Sequence, residues 1–156
     1  MSEEYRQNVG IVVYNKNLKV LLCKRKGYSD DGWQFPQGGI DPGEDLLEAA
    51  RRELWEETSV TSVTLMAVAP GTFKYKFPDE IYAKLKARGR QNIGQEQHWV
   101  LFYFYGDDSE INIATREPEF DDWKWADIQD APNHIIAFKK GIYERIVEIF
   151  APQMKK

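Results

Sequence analysis

Between Gly38 and Val60 the chain reads GGIDPGEDLLEAARRELWEETSV, and no other segment restricts the fold so tightly. Pro42 and Gly43 interrupt the backbone, after which Leu47, Ala50 and Leu54 recur at the spacing of one helical face. This predicts a helix over 44–57, with Glu44 and Asp45 at its positive N-terminal end. At about 100° per residue, Glu53, Glu56 and Glu57 are expected to point away from the apolar stripe into a cleft while the stripe packs on a sheet. Three carboxylates within one turn repel one another unless a cation lies among them, so a divalent metal site is the first functional expectation. The competing explanation is an ordinary solvated helix face, with Arg52 and Glu56 paired four residues apart.

The rest of the chain supplies the sheet. Residues 9–14 and 20–23 are rich in Val, Ile and Leu and flank Asn15, Lys16 and Asn17, which reads as a strand pair with a short turn. Further strands are expected over 33–35, 63–69, 72–77, 98–105 and 123–125, with a short helix and a polar basic loop in 78–94. A last helix is expected near 135–150, with Asn133 as its cap and Phe138, Ile142, Ile146 and Ile149 on its apolar side. Strands interspersed with separated helices predict an α/β fold, a sheet between helical layers.

At 156 residues, 42% apolar and 29% charged, the sequence suits one globular domain over 1–156. Cys23 is the only cysteine, which excludes an intramolecular disulfide and a cysteine-rich metal site. The N-terminal MSEEYRQNVG has no basic region leading into an apolar run, and no membrane-length apolar segment occurs, so the expectation is a cytoplasmic protein with no membrane partner. A formal charge of -4 argues against a general nucleic-acid coating protein but allows local basic contacts to phosphate. Lys155 and Lys156 are expected to be a solvated end.

The segment Gly38–Val60 closely resembles the Nudix box, GX5EX7REUXEEXGU with U aliphatic, at Gly38, Glu44, Arg52, Glu53, Leu54, Glu56, Glu57 and Val60. Ser59 departs from it, standing where the family usually has glycine. The resemblance implies a Nudix-like α/β/α sandwich with a mixed β-sheet, and metal-dependent hydrolysis of a phosphoanhydride. By the same resemblance Gly38, Glu53, Glu56 and Glu57 would bind Mg2+ or Mn2+, more than one ion during catalysis, and Glu44 and Arg52 would brace the loop and helix. A carboxylate must accept the proton of the attacking water; Glu53 and Glu57 are candidates, and Glu119, in EPEFDDWKW, is a third because it resembles the distant glutamate used near the metal in related enzymes.

Beyond the box, YRQNVG, WQFPQGGI, IGQEQHW, EFDDWKW and AFKKGIY resemble the bacterial RNA pyrophosphohydrolase branch, close to dinucleoside polyphosphate hydrolases. That resemblance implies a substrate of 5′-phosphorylated RNA, cut from the triphosphate or diphosphate to the monophosphate. It assigns recognition to Arg6, Arg25, Gln95, Phe138 and Lys139, while Glu96 and His98 would make the local field less basic than in some relatives. Asymmetric hydrolysis of diadenosine tetraphosphate is the alternative activity, and a noncatalytic RNA- or nucleotide-binding module the alternative class. A monomer suffices for such a site, and the sequence leaves the oligomeric state open.

Overall fold

Successive residues of the first strand, β1 (Tyr5–Tyr14), feed two different cores. Val9, Ile11 and Val13 enter one and Val12 and Tyr14 the other, all without exposed surface, so β1 is covered on both faces. In the computed structural model, which describes residues 5–155, the remaining elements are β2 (Val20–Arg25), β3 (Trp33–Gln34), β4 (Gln37–Gly39), α1 (Leu46–Thr58), β5 (Val63–Val68), β6 (Phe73–Lys76), α2 (Asp79–Ala87), β7 (Gly94–Phe104), β8 (Phe120–Ala126) and α3 (Lys140–Phe150). Ala49, Ala50 and Leu54 of α1 close the first core, and Tyr143, Ile146, Val147 and Phe150 of α3 close the second. The expected mixed sheet between helical layers is the observed architecture.

The main path of the sheet runs β3-β2-β1-β7-β5, with β4 on β1, β6 on β7 and β8 on β2. Among the described residues only β1 and β7 pair in parallel, from Tyr5 opposite Gly94 to Tyr14 opposite Tyr103; the other pairs are antiparallel. Both strands begin four residues before the apolar runs that predicted them. Their polar starts, Arg6 and Asn8 beside Gln95 and Gln97, belong to the same ladder. Gly38 and Gly39 belong to β4 and pair with Val9 and Asn8.

Asp45 caps α1, its Oδ1 accepting from the Glu48 amide at 2.9 Å. At the other end Ser59 adopts the left-handed conformation at φ 66°, where glycine is the usual residue. Its hydroxyl compensates by donating to the Asn112 carbonyl at 2.9 Å, so the helix ends in the turn the family pattern calls for.

The last helix starts at Lys140, later than its sequence pattern predicts, and Asn133 does not cap it. Pro132 sits inside a tight turn over Ile128–Asn133, a second such turn holds Ala137–Lys139, and Phe138 therefore lies outside the helical stripe. Lys155 is anchored through its backbone amide, which donates to the Tyr14 hydroxyl at 3.0 Å, and Lys156 lies outside the described residues. Among the described residues no helix is long and apolar enough to cross a membrane.

Candidate active site

Where β4 lies along β1, it brings Gly38 against Glu53 of α1. A Cβ on Gly38 would fall 2.0 Å from Glu53 Oε2, so any side chain there would displace that carboxylate from its observed position. Arg52 ties the loop to the helix. Its Nε and Nη2 donate to the two Glu44 oxygens at 2.7 and 2.9 Å, and Nη2 also reaches the Gly39 carbonyl at 2.9 Å. The guanidinium holds the Glu44 carboxyl down at about 2. Its Nη1 donates to Glu53 at 2.9 Å and approaches Glu56 at 3.3 Å.

The glutamate trio does not share one orientation. Glu56 is exposed beside Arg52, and Glu53 is half-buried and lines the cleft. Glu57 is 5% exposed and turns inward, against the expectation that all three face away from the apolar stripe. The reason is helical arithmetic: Glu57 follows buried Ala50 by seven residues, about two turns, and shares its side of the helix.

Glu57 Oε1 accepts from the Gln37 amide at 3.1 Å, while Oε2 is buried without a hydrogen-bond partner among the described residues. Burial, then the nearby carboxylates of Glu119 and Glu53, push the Glu57 carboxyl well above the usual range against the Gln37 amide. Glu57 and Glu119 can bond only by sharing a proton. Glu53 is also raised, chiefly by burial and in spite of Arg52.

Among the described residues no three His, Cys, Asp or Glu side chains already converge around an ion position. The donor set nevertheless fits a divalent cation: hard carboxylate oxygens, an orphaned buried oxygen on Glu57, and mutual repulsion that a cation would relieve.

The carboxylates of Glu53 and Glu119 line a cleft of about 640 Å³, whose walls also include Gly38, Arg6, Arg25, Gln95, Phe138 and Lys139. The Tyr75 hydroxyl donates to Gln95 Oε1, and the Tyr75 ring lies 5.7 Å from that of Phe138. Lys139 Nζ lies 5.7 Å from the Tyr75 ring centre and 5.8 Å from that of Phe138. Burial, followed by the charge of Arg25, lowers the Lys139 ammonium to about 8. Arg6 is lowered by burial and then by neighbouring Arg90.

Beneath them Gln97 donates to Asn8 at 2.9 Å and Asn8 to Gln37 at 2.8 Å, a buried polar floor. Glu96 and His98 do not line the cleft; they alternate away from it and meet Gln7 at 3.0 and 2.9 Å. Their effect on its charge is therefore weaker than the sequence suggested.

Several cleft residues escaped the sequence reading. Tyr75 and Phe77 come from β6 and the residue after it, and the only signal was aromatic alternation at Phe73, Tyr75 and Phe77. Ile81, Lys84, Leu85 and Arg88 share one face of α2 and its cap, at helical spacing inside a segment read as mixed.

Residues 4–146 match the family model described as NUDIX domain. The chain is 45% identical over 150 residues to the RNA pyrophosphohydrolase of Caulobacter vibrioides, a match covering 94% of this chain and 86% of that one. It is 43% identical over 144 residues to the RNA pyrophosphohydrolase of Pelagibacter ubique, covering 92% and 89%. Among solved structures, the C. elegans Ap4A hydrolase in a binary complex shares the fold with a TM-score of 0.67 and 23% identity, covering 94% of this chain and 98% of that one.

Proposed function

The chain belongs to the Nudix family of phosphoanhydride hydrolases, and from that premise we propose that it is an RNA 5′ pyrophosphohydrolase, converting a 5′ triphosphate or diphosphate end to a 5′ monophosphate. The observation that carries the reading is one cleft lined together by the carboxylates of Glu53 and Glu119 and by Arg6, Arg25, Lys139 and Phe138. The relatives named RNA pyrophosphohydrolase support it over nearly the whole chain.

In this reading Arg6, Arg25 and Lys139 draw in the terminal phosphates, Gln95 orients them, and Phe138 with Tyr75 offers ring faces to a base. Glu44 and Arg52 keep the loop and helix in register. Members of the family use divalent metal ions; here Gly38, Glu53, Glu56 and Glu57 would hold Mg2+ or Mn2+, more than one ion during turnover. Such ions, when bound, offset phosphate charge and lower the pKa of water. A carboxylate takes the proton of the attacking water as the bond from phosphorus to the leaving phosphate oxygen breaks. Glu119 is best suited to that role because it is exposed in the cleft and free of Arg52, with Glu53 and Glu57 as the alternatives. One copy of the chain supplies every group named, and the proposed setting is the cytoplasm.

The second reading, asymmetric hydrolysis of diadenosine tetraphosphate, draws on the likeness to the C. elegans Ap4A hydrolase. A noncatalytic binding module is disfavoured, since it would have little reason to retain the repulsion around Glu57. The test is parallel turnover of a defined 5′-triphosphorylated RNA and of diadenosine tetraphosphate with Mn2+, identifying every product. Release of pyrophosphate or phosphate with 5′-monophosphorylated RNA is the expected result. A large catalytic preference for the dinucleotide would overturn the assignment.

A further inference from the structure

We propose that Lys84 and Arg88, on the cleft-facing side of α2 and its cap, together with Arg90 just beyond, form a second cationic subsite that grips the phosphodiester backbone downstream of the 5′ end. This rests on the RNA reading and makes it more specific. It assigns to α2 a role that a dinucleoside polyphosphate could not exploit, because all the phosphates of such a substrate lie in the bridge between its two nucleosides.

Three observations converge on it. First, Ile81, Lys84, Leu85 and Arg88 follow the spacing of one helical face, and all four line the cleft. Ile81 and Leu85 are half-buried there, while Lys84 and Arg88 are exposed. The apolar pair holds the helix in place and the cations remain free to meet solvent or ligand.

Second, the six cations that line the cleft, Arg6, Arg25, Lys84, Arg88, Arg90 and Lys139, make no ion pair among the described residues. Ion pairs elsewhere are few, such as Lys24 with Asp121 at 3.1 Å and Arg52 with Glu44 at 2.7 Å, so it is the gathering of six cations in one cleft that sets this region apart. In a chain of net charge -4, unpaired cations concentrated in one cleft mark a binding surface for a polyanion. Arg90 lies close enough to Arg6 to lower its proton affinity, a like-charge approach that phosphate would relieve.

Third, the cations fall into two groups by position. Half-buried Arg6 and Lys139, with exposed Arg25 close to Lys139 and Tyr75, gather near the aromatic pair Tyr75 and Phe138, whereas Lys84, Arg88 and Arg90 are exposed on α2, its cap and just beyond. A strand whose terminal phosphates sit deep must leave across an exposed rim, and α2 follows directly from the Tyr75–Phe77 wall. The inner cations therefore hold the end and the outer cations hold the chain that follows.

The experiment measures kcat/KM and its salt dependence for 5′-triphosphorylated RNAs of one, two, three and five nucleotides, using the full chain with Mn2+. For the wild type, efficiency should rise with length beyond the first nucleotide. The K84Q/R88Q double variant should lose about tenfold on the pentanucleotide through KM. Its salt slope should fall by about 0.7 for each phosphate contact removed, and its length series should flatten. The charge-keeping K84R/R88K variant should retain the wild-type series.

The inference is overturned if wild-type efficiency is independent of length, if K84Q/R88Q keeps the full length dependence, or if K84R/R88K loses it equally. Failure of the wild type to cut any triphosphorylated RNA while it cuts diadenosine tetraphosphate would overturn the RNA reading itself, and this subsite with it.

Discussion

Replacing Glu57 with glutamine should make the metal-free protein more stable while removing much of its response to metal. The carboxylate accepts one amide hydrogen, from Gln37 at 3.1 Å, and leaves its other oxygen buried without a partner among the described residues. Glutamine has the same shape: its carbonyl oxygen keeps the Gln37 contact, and its amide group donates toward Glu119 instead of repelling it. Relief of an unsatisfied buried polar group is worth about 2 kcal/mol. In a chain of this size that raises the Tm by about 4–8 °C.

The pH dependence fixes the cause. Because the folded Glu57 carboxyl is raised, its contribution to stability is fully present below the unfolded value near 4.5 and is lost as pH rises through the folded value. The Glu57→Gln advantage should therefore be small at pH 4.5 and open fully above the folded value. Thermal unfolding in EDTA at several pH values, followed by Mn2+ titration at pH 7.5, is the assay; the wild type should gain more from the metal than the variant. A variant less stable than wild type in EDTA at pH 7.5, or a gap identical at every pH, would refute the electrostatic account.

Two further outcomes follow from the same geometry. The Lys139 ammonium, lowered to about 8, is charged in the free enzyme below that pH and neutral above it, so kcat/KM for triphosphorylated RNA should fall as pH rises through about 8. Lys139→Arg keeps its charge and should remove that inflection from the pH profile, whereas an unchanged inflection would assign it to another group. At Ser59, alanine loses the bond to the Asn112 carbonyl and keeps the left-handed strain, costing about 1 kcal/mol and lowering Tm by about 2–4 °C. Glycine loses the same bond but relieves strain of about 1 kcal/mol, so Ser59→Gly should stay within about 2 °C of wild type in a thermal melt.

Much of the fold was legible because its cores are written in local patterns. Val9, Ile11 and Val13 alternate with Val12 and Tyr14, and Ala50 and Leu54 keep helical spacing, so sheet and helix could be read before either was seen. The failures share a physical origin. Arg6, Asn8, Gln95 and Gln97 are strand residues whose polar side chains suppress the strand signal, because Arg6, Asn8 and Gln95 line a cleft and Gln97 is buried against Asn8 beside it. Glu57 was misread for the opposite reason: its charge suggested the outside while its phase, two turns from Ala50, placed it inside. Phe138 continues the apolar spacing of α3 by sequence but falls in the preceding turn, which frees its ring for the cleft wall.

These misreadings bear on how the site divides its labour. The parallel β1–β7 ladder fixes Arg6 opposite Gln95 and Asn8 opposite Gln97, and β4, paired with β1, sets Gly38 beside Glu53. The cleft floor and Gly38 thus hang on strand pairing, where a shift of one residue would reverse every side chain, and Glu53 is seated against that framework from α1. Lys84, Arg88, Phe138 and Lys139 instead sit on α2, on its cap, or in a turn; no residue of α2 is buried. Positioning reacting groups requires rigid support, whereas following a flexible polynucleotide requires reach. The proposed chemistry therefore resides on the sheet, on α1 and on Glu119 at the threshold of β8, and the proposed discrimination between an RNA and a short dinucleotide resides on the less buried elements around them.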